Sequence, residues 1–199
     1  MQIDKSYIGC FNTDEKKLAK RSHKPTAIVI HHTCTASPKK TRSALKAKGF
    51  STHFEVDTDG HVYQYADIME VACHCGSANI HTIGIDVTHM HKAAFPQRQV
   101  DAVKELVSML CVEYDIPQVV HLVLEGIWPH LALGNTVCPD GFPMEELGEL
   151  VTPDRDEVVL FGQMLDIALE IGKESELADE VMARPKLLRE INRKQGYIT

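Results

Sequence analysis

His130 and Cys138 stand eight residues apart in WPHLALGNTVCPDG, and His31 follows the apolar run AIVI far upstream. Two imidazoles and one thiolate are the donor set of an open zinc site. Three protein ligands leave a fourth position for water, whereas closed structural sites use four. An ion held that way acidifies its water and polarises a carbonyl, which is hydrolytic chemistry. The ligands must sit on rigid elements if the geometry is to survive a change of occupant at the open position. His31 at a strand end meets that need, and His130 and Cys138 flank a loop able to fold back onto a metal.

Other residues compete for the role on type alone. His32 reads as a neighbour on the opposite strand face. His121 sits mid-strand and reads as structural. His89 and His91 form an HxH that reads as solvent-exposed. Cys73-His74-Cys75 looks like a metal clip but lacks a second matching pair, so it reads as no ligand set, while His74 could line a cleft. Residue type and spacing leave the choice among these open.

The elements that must position such a site follow from periodicity. Thr26 to His31 is a β-branched run and reads as a buried strand. Ser37-Pro38 starts a helix through Lys48, stopped by Gly49. Ser51 to Tyr65 reads as a hairpin, two alternating runs around Asp57-Thr58-Asp59-Gly60. His81 to Thr88 is another strand. Pro96 begins a long helix to about Tyr114, with Val100, Val103, Leu106, Val107 and Leu110 at helical spacing, closed off by Pro117. Val119 to Leu124 is a further strand. Strands alternating with helices imply an α/β fold, a mixed central β-sheet of about five to six strands with helices on both faces. Residues 1–24, with Lys16, Lys17, Lys20, Arg21 and Lys24, read as a polar surface segment with at most a short helix. From about Thr152 the chain becomes amphipathic, and 151–199 reads as a helical C-terminal extension on a 1–150 domain, packed on the core or docking a partner.

The 199 residues, 44% hydrophobic, suffice for one domain with a real core. With aromatics at 6%, aliphatic side chains must build it. A net charge of -7 argues against broad nucleic-acid binding, which needs a basic footprint. No apolar run is long enough for a membrane span. The first residues show no charged n-region with an apolar h-region, so the expectation is synthesis in the cytoplasm with reduced thiols at all six cysteines.

The order IVIHHT, STHFEVDTDGHVYQY, CHCGSANIHTIGID and PHLALGNTVCPDG resembles the zinc N-acetylmuramoyl-L-alanine amidases of the amidase-2 type, which include phage endolysins and animal peptidoglycan recognition proteins. The resemblance spans roughly residues 24 to 145. It implies His31, His130 and Cys138 as ligands of Zn2+, with peptidoglycan or a muropeptide as substrate. It implies hydrolysis of the amide between the lactyl group of N-acetylmuramic acid and L-alanine. Thr136, two residues before the last ligand, is the implied oxyanion donor, and His74, Asp86 and Thr136 are the candidates for moving the proton. Thr52 stands where relatives carry a tyrosine near the metal, so it is expected in the cleft. Asp86 replaces the glutamate of the I-G-I-E variant. Three biological settings follow: a wall-lysing endolysin reaching the wall after release, a delivered antibacterial effector, or a peptidoglycan-binding module that does not cut. A recycling enzyme is disfavoured because those relatives mostly use aspartate as third ligand.

Overall fold

The computed structural model describes residues 1–13, 17–90, 93–120, 125–133 and 136–150. Its centre is a pair of parallel strands, β2 (Ala27–His32) and β5 (Thr82–Val87), paired from Ala27↔Thr82 to His32↔Val87. Strands covered on both faces read as continuous apolar runs, and AIVI does. Among the described residues the sheet has eight strands, in the order β1 (Ile3–Asp4), β4 (Val62–Gln64), β3 (Phe54–Val56), β5, β2, β7 (Gly126–Pro129), β6 (Val119–Val120) and β8 (Glu149–Leu150). It exceeds the expected five to six because two-residue strands cap both edges: β1 (Ile3–Asp4) beside β4 and β8 (Glu149–Leu150) beside β6. Two residues carry no readable period.

The hairpin forms as expected, with β3 (Phe54–Val56) antiparallel to β4 (Val62–Gln64). Gly60 turns it at φ 85, and a Cβ there would lie 2.9 Å from the Arg98 carbonyl oxygen. The segment after Pro117 differs from expectation. Only Val119–Val120 of the expected strand is described, as β6, and 121–124, with His121, lie outside the described residues. A strand not foreseen, β7 (Gly126–Pro129), pairs with β2 from Ala27↔Gly126 to Ile30↔Pro129. Glycine and proline at its ends hide it, since both are depleted in central strands.

Alternation sorts the two faces. Ile28, Ile30, Phe54, Val56, Ile83, Ile85, Val87 and Ile127 point to one side and pack against Val100, Val103, Leu106, Val107 and Leu110 of α2 (Gln97–Tyr114). That helix shows the spacing read from sequence. The opposite face carries Ala27, Val29 and Trp128 in a small cluster, then polar groups at the strand ends. Helix α1 (Pro38–Lys48), closed by Gly49 at φ 71, covers those groups. Burial of this α2-facing side supplies most of the driving force, at about 25 cal/mol per Å² of apolar surface.

The N-terminal segment departs from a merely polar surface, and no helix occurs among its described residues. Arg21 is 6% exposed and donates to the carbonyls of Ile80, Glu70 and Thr82. The expected extension over 151–199 lies outside the described residues, as does His91. No helix among the described residues is long and apolar enough to cross a membrane.

Candidate metal centre and active site

The sheet register assembles the donors. β2 and β7 run parallel with Ile30 opposite Pro129, so His31 and His130 come next, side by side at the strand ends. Their ring centroids are 4.4 Å apart. His130 opens a 3-10 turn (His130–Ala132). The loop then closes on itself: Leu131 N–H donates to the Cys138 carbonyl at 2.6 Å. Cys138 Sγ in turn accepts the His32 N–H at 3.1 Å, which ties the loop to β2. The outcome is one group of potential ligands among the described residues, His31, His130 and Cys138, with donor atoms all within 4.8 Å of one another.

The donor set can be tested for fit. Nitrogen and sulfur donors bind zinc at roughly 2.0–2.3 Å in a tetrahedron, which needs them within about 4 Å of each other. A small inward movement of side chains meets that. The protonation states fit as well. Thr82 Oγ1 donates to the Ala78 carbonyl at 2.8 Å, so it accepts from His74 Nε2 at 3.3 Å. His74 Nδ1 is then the acceptor for His31 Nε2 at 3.0 Å. This chain of donors makes His31 the Nε2–H tautomer and leaves its Nδ1 lone pair for an ion. Burial holds His31, His74 and His130 below the usual imidazole range, and neighbouring imidazoles add to it in all three. All three are neutral, as ligation requires. Burial pushes the Cys138 thiol up to about 12, with Asp86 and Cys34 adding and the His32 N–H opposing. Ion capture and loss of that proton are therefore coupled.

All three donors line a cleft of about 690 Å³. Asp86 is on its wall, the register partner of His31 on β5. It is 6% exposed, and burial, reinforced by Glu55, holds its carboxyl well above the usual range. Its carboxyl faces the site, biased by its surroundings toward the protonated form. Glu55, its register partner on β3, is fully buried and accepts hydroxyls from Tyr65 and Thr88, each at 2.6 Å. Thr136 lines the cleft too; its Oγ1 accepts the Cys138 N–H at 3.2 Å, which leaves its own O–H available.

His74 lies flat against β5 over Gly84, where a Cβ would meet the imidazole at 2.8–3.0 Å. The Asn79 side chain fixes the preceding turn by accepting the N–H groups of His74 and Cys75. Two expectations fail. Thr52 is not in the cleft: it is fully buried beneath it, donating to the carbonyls of Gly84 and Phe54. Its place on the hairpin turns the side chain into the sheet. His89 is 5% exposed rather than solvated, stacked on Phe95 at 3.8 Å and bonded to the Ala93 carbonyl. Thr82 and Glu55 fall within the segments that carry the resemblance, but their types give no signal there; the turn over Gly76–Ile80 brings Thr82 to His74, and strand register brings Glu55 beside Asp86.

A mixed sheet with an N/N/S donor group at the ends of its parallel strands, open to a cleft, defines an α/β protein with a candidate metal site. A family model, Amidase_2, N-acetylmuramoyl-L-alanine amidase, matches residues 21–141. The chain belongs to that family. A Rickettsia conorii protein whose name places it among these amidases is 29% identical over 138 residues, 63% of this chain and 52% of that protein. The chain thus spans about half the length of that curated relative. Solved structures of similar fold include the N-acetylmuramoyl-L-alanine amidase LysC from Clostridium intestinale (TM-score 0.62, 24% identity, 74% of this chain and 95% of that one). The endolysin of the Thermus scotoductus bacteriophage Ph2119 gives 0.59 and 21%, covering 74% and 100%. Drosophila PGRP-LB gives 0.55 and 16%, covering 73% and 92%.

Proposed function

We propose that the chain is a zinc-dependent peptidoglycan amidase that hydrolyses the amide between the lactyl group of N-acetylmuramic acid and L-alanine of the stem peptide. The observation that carries this reading is the His31, His130 and Cys138 group opening on the cleft that Asp86 and Thr136 also line. A zinc ion bound there supplies Lewis acidity and lowers the pKa of water toward neutrality.

The chain's own residues supply the rest. His31, His130 and Cys138 hold the ion, and His74 keeps the His31 ring oriented through Nε2. The Thr136 hydroxyl, with its oxygen already accepting the Cys138 N–H, donates to the developing oxyanion. Protonated Asp86 delivers its proton to the leaving amine, as a carboxyl held neutral by its surroundings is suited to do. His74, its nitrogens committed to His31 and Thr82, is a positioning group instead. Relatives that include a phage endolysin, together with a cysteine as third donor, favour a wall-lysing role over recycling or recognition alone. In that role the protein acts on the cell wall after leaving the cytoplasm.

The test is digestion of purified wall by zinc-loaded protein, with mass spectrometry for free stem peptide and for intact glycan ending in the lactyl acid. Cys138→Ser should lose both zinc retention and hydrolysis. A variant that kept both would overturn the ligand assignment, and wild-type protein that bound muropeptide without cleaving it would point to a recognition module.

A further inference from the structure

A second pair of imidazoles meets where β2 and β5 begin, at the opposite ends of those strands from His31 and Asp86. His23 Nε2 lies 2.9 Å from His81 Nδ1. The ring centroids are 4.8 Å apart and the planes are tilted by 34°. Neither residue is among those lining the cleft, and the hydrolytic reaction gives neither a role.

The main chain fixes this approach. Thr26 N–H donates to the His81 carbonyl at 2.9 Å, and Ala27 N–H reaches the same oxygen at 3.3 Å. His81 N–H donates to the Ala78 carbonyl and so closes the 3-10 turn Gly76–Ile80. Two residues before His23, the buried Arg21 donates to the carbonyls of Ile80 and Thr82, the residues on either side of His81. Both rings are thus carried on backbone that is tied together. The neighbouring cations are already answered, Arg21 by those carbonyls and Lys24 by Asp115 at 3.4 Å. His23 is exposed and His81 half-buried, so an ion can reach them from solvent.

The spacing selects a geometry. Divalent zinc and its neighbours bind imidazole nitrogen at about 2.0–2.1 Å. Two such bonds from nitrogens 2.9 Å apart enclose about 90°. A tetrahedron would set the nitrogens about 3.3–3.4 Å apart at the same bond length. A right angle is the cis angle of square-planar, tetragonal and octahedral ions, and with nitrogen donors that describes copper(II) and nickel(II).

We propose that His23 and His81 form a second metal site, a two-imidazole chelate for nickel(II) or copper(II), with water completing the coordination on the exposed side. The ion replaces the hydrogen bond between the rings. It takes the lone pairs of His23 Nε2 and His81 Nδ1, and each neutral ring keeps its one proton on the other nitrogen, so only a tautomer changes. Bound there, the ion cross-links the segment entering β2 to the turn entering β5 and leaves the chemical step alone.

The experiment titrates the full zinc-loaded chain with nickel(II), which unlike copper(II) does not oxidise thiols. Bound metals are counted by elemental analysis after desalting, and stability is read by thermal unfolding. Wild-type protein should take up one nickel while keeping its zinc, and its Tm should rise with nickel concentration. His23→Ala and His81→Ala should each weaken nickel binding about 10²-fold, because the second ring of a chelate acts at high effective concentration. Both should release stem peptide from purified wall at the wild-type rate. His23→Gln retains a polar partner for His81 and should bind nickel no better than His23→Ala. Cys138→Ser, which removes a zinc donor, should still bind nickel through the pair, so this site and the zinc assignment fail separately. No nickel uptake by the wild type, equal uptake by wild type and His23→Ala, or uptake matched one for one by loss of zinc would each overturn the second site.

Discussion

Gly84→Ala probes the support of the metal centre without touching a donor. An added Cβ would lie 2.8 Å from His74 Cγ, 2.9 Å from Nδ1 and 3.0 Å from Cδ2. Carbon atoms in ordinary contact sit about 3.5–4.0 Å apart, so the imidazole must retreat by roughly 0.5–1 Å. His74 Nδ1 then leaves His31 Nε2, now 3.0 Å away, and Nε2 leaves Thr82. The His31 ring loses the partner that sets its tautomer and angle. Loss of such a partner costs about 10–100-fold in metal affinity, and forcing a methyl into a packed site costs about 1–3 kcal/mol of stability. Zinc affinity is read by chelator competition and stability by thermal unfolding. Gly84→Ala with His74→Ala should recover the stability and leave zinc affinity low, which separates crowding from lost support. Wild-type zinc affinity in Gly84→Ala would refute the argument that His74 orients His31.

Three further outcomes follow from the same geometry. Thr136→Val should lower kcat about 10²–10³-fold with zinc retained, because one oxyanion donor is removed; steady-state kinetics on soluble muropeptide checks it, and an unchanged kcat would leave the hydroxyl without that role. Asp86 has its folded-state pKa raised by burial and Glu55, so in the metal-free chain the folded state keeps a proton that the unfolded state loses above its ordinary value near 3.8. Stability should therefore fall as pH rises from that value toward the raised one, and Asp86→Asn should flatten the fall while lowering kcat about 10²–10⁴-fold; urea titrations across pH read the first, and a slope identical to wild type would sink it. Thr52→Tyr should destabilise by roughly 1–3 kcal/mol and bring no gain in rate, because the new ring has no space beneath the cleft; normal stability with faster turnover would mean the position reaches the substrate after all.

Those expectations mark where reading residues alone succeeds. AIVI, the α2 stripe and the Asp-Gly hairpin each carry a period that belongs to one element, and the structure has them. Residue type and spacing left the choice among histidines and cysteines open, and it was the order of the segments resembling the amidases that singled out His31, His130 and Cys138, which the structure brings within 4.8 Å of one another. The edge strands and β7 were not legible, since two- to four-residue strands are created by their neighbours. Buried polar residues were the hardest to place. Thr52, His89 and Arg21 look like surface or cleft residues by type, and only tertiary contacts supply the carbonyls and rings that make their burial tolerable.

Arg21 has one more consequence. Its guanidinium, lowered by burial to about 10, still keeps its proton throughout the mildly acidic to mildly alkaline range, and its bonds run to main-chain oxygens and to Nε2 of His53, an imidazole that burial lowers to about 3. It therefore works as a rivet indifferent to acidity, fastening the chain just ahead of the central strand that begins at Ala27. The path by which the chain enters that strand should therefore keep its shape as the acidity around it changes.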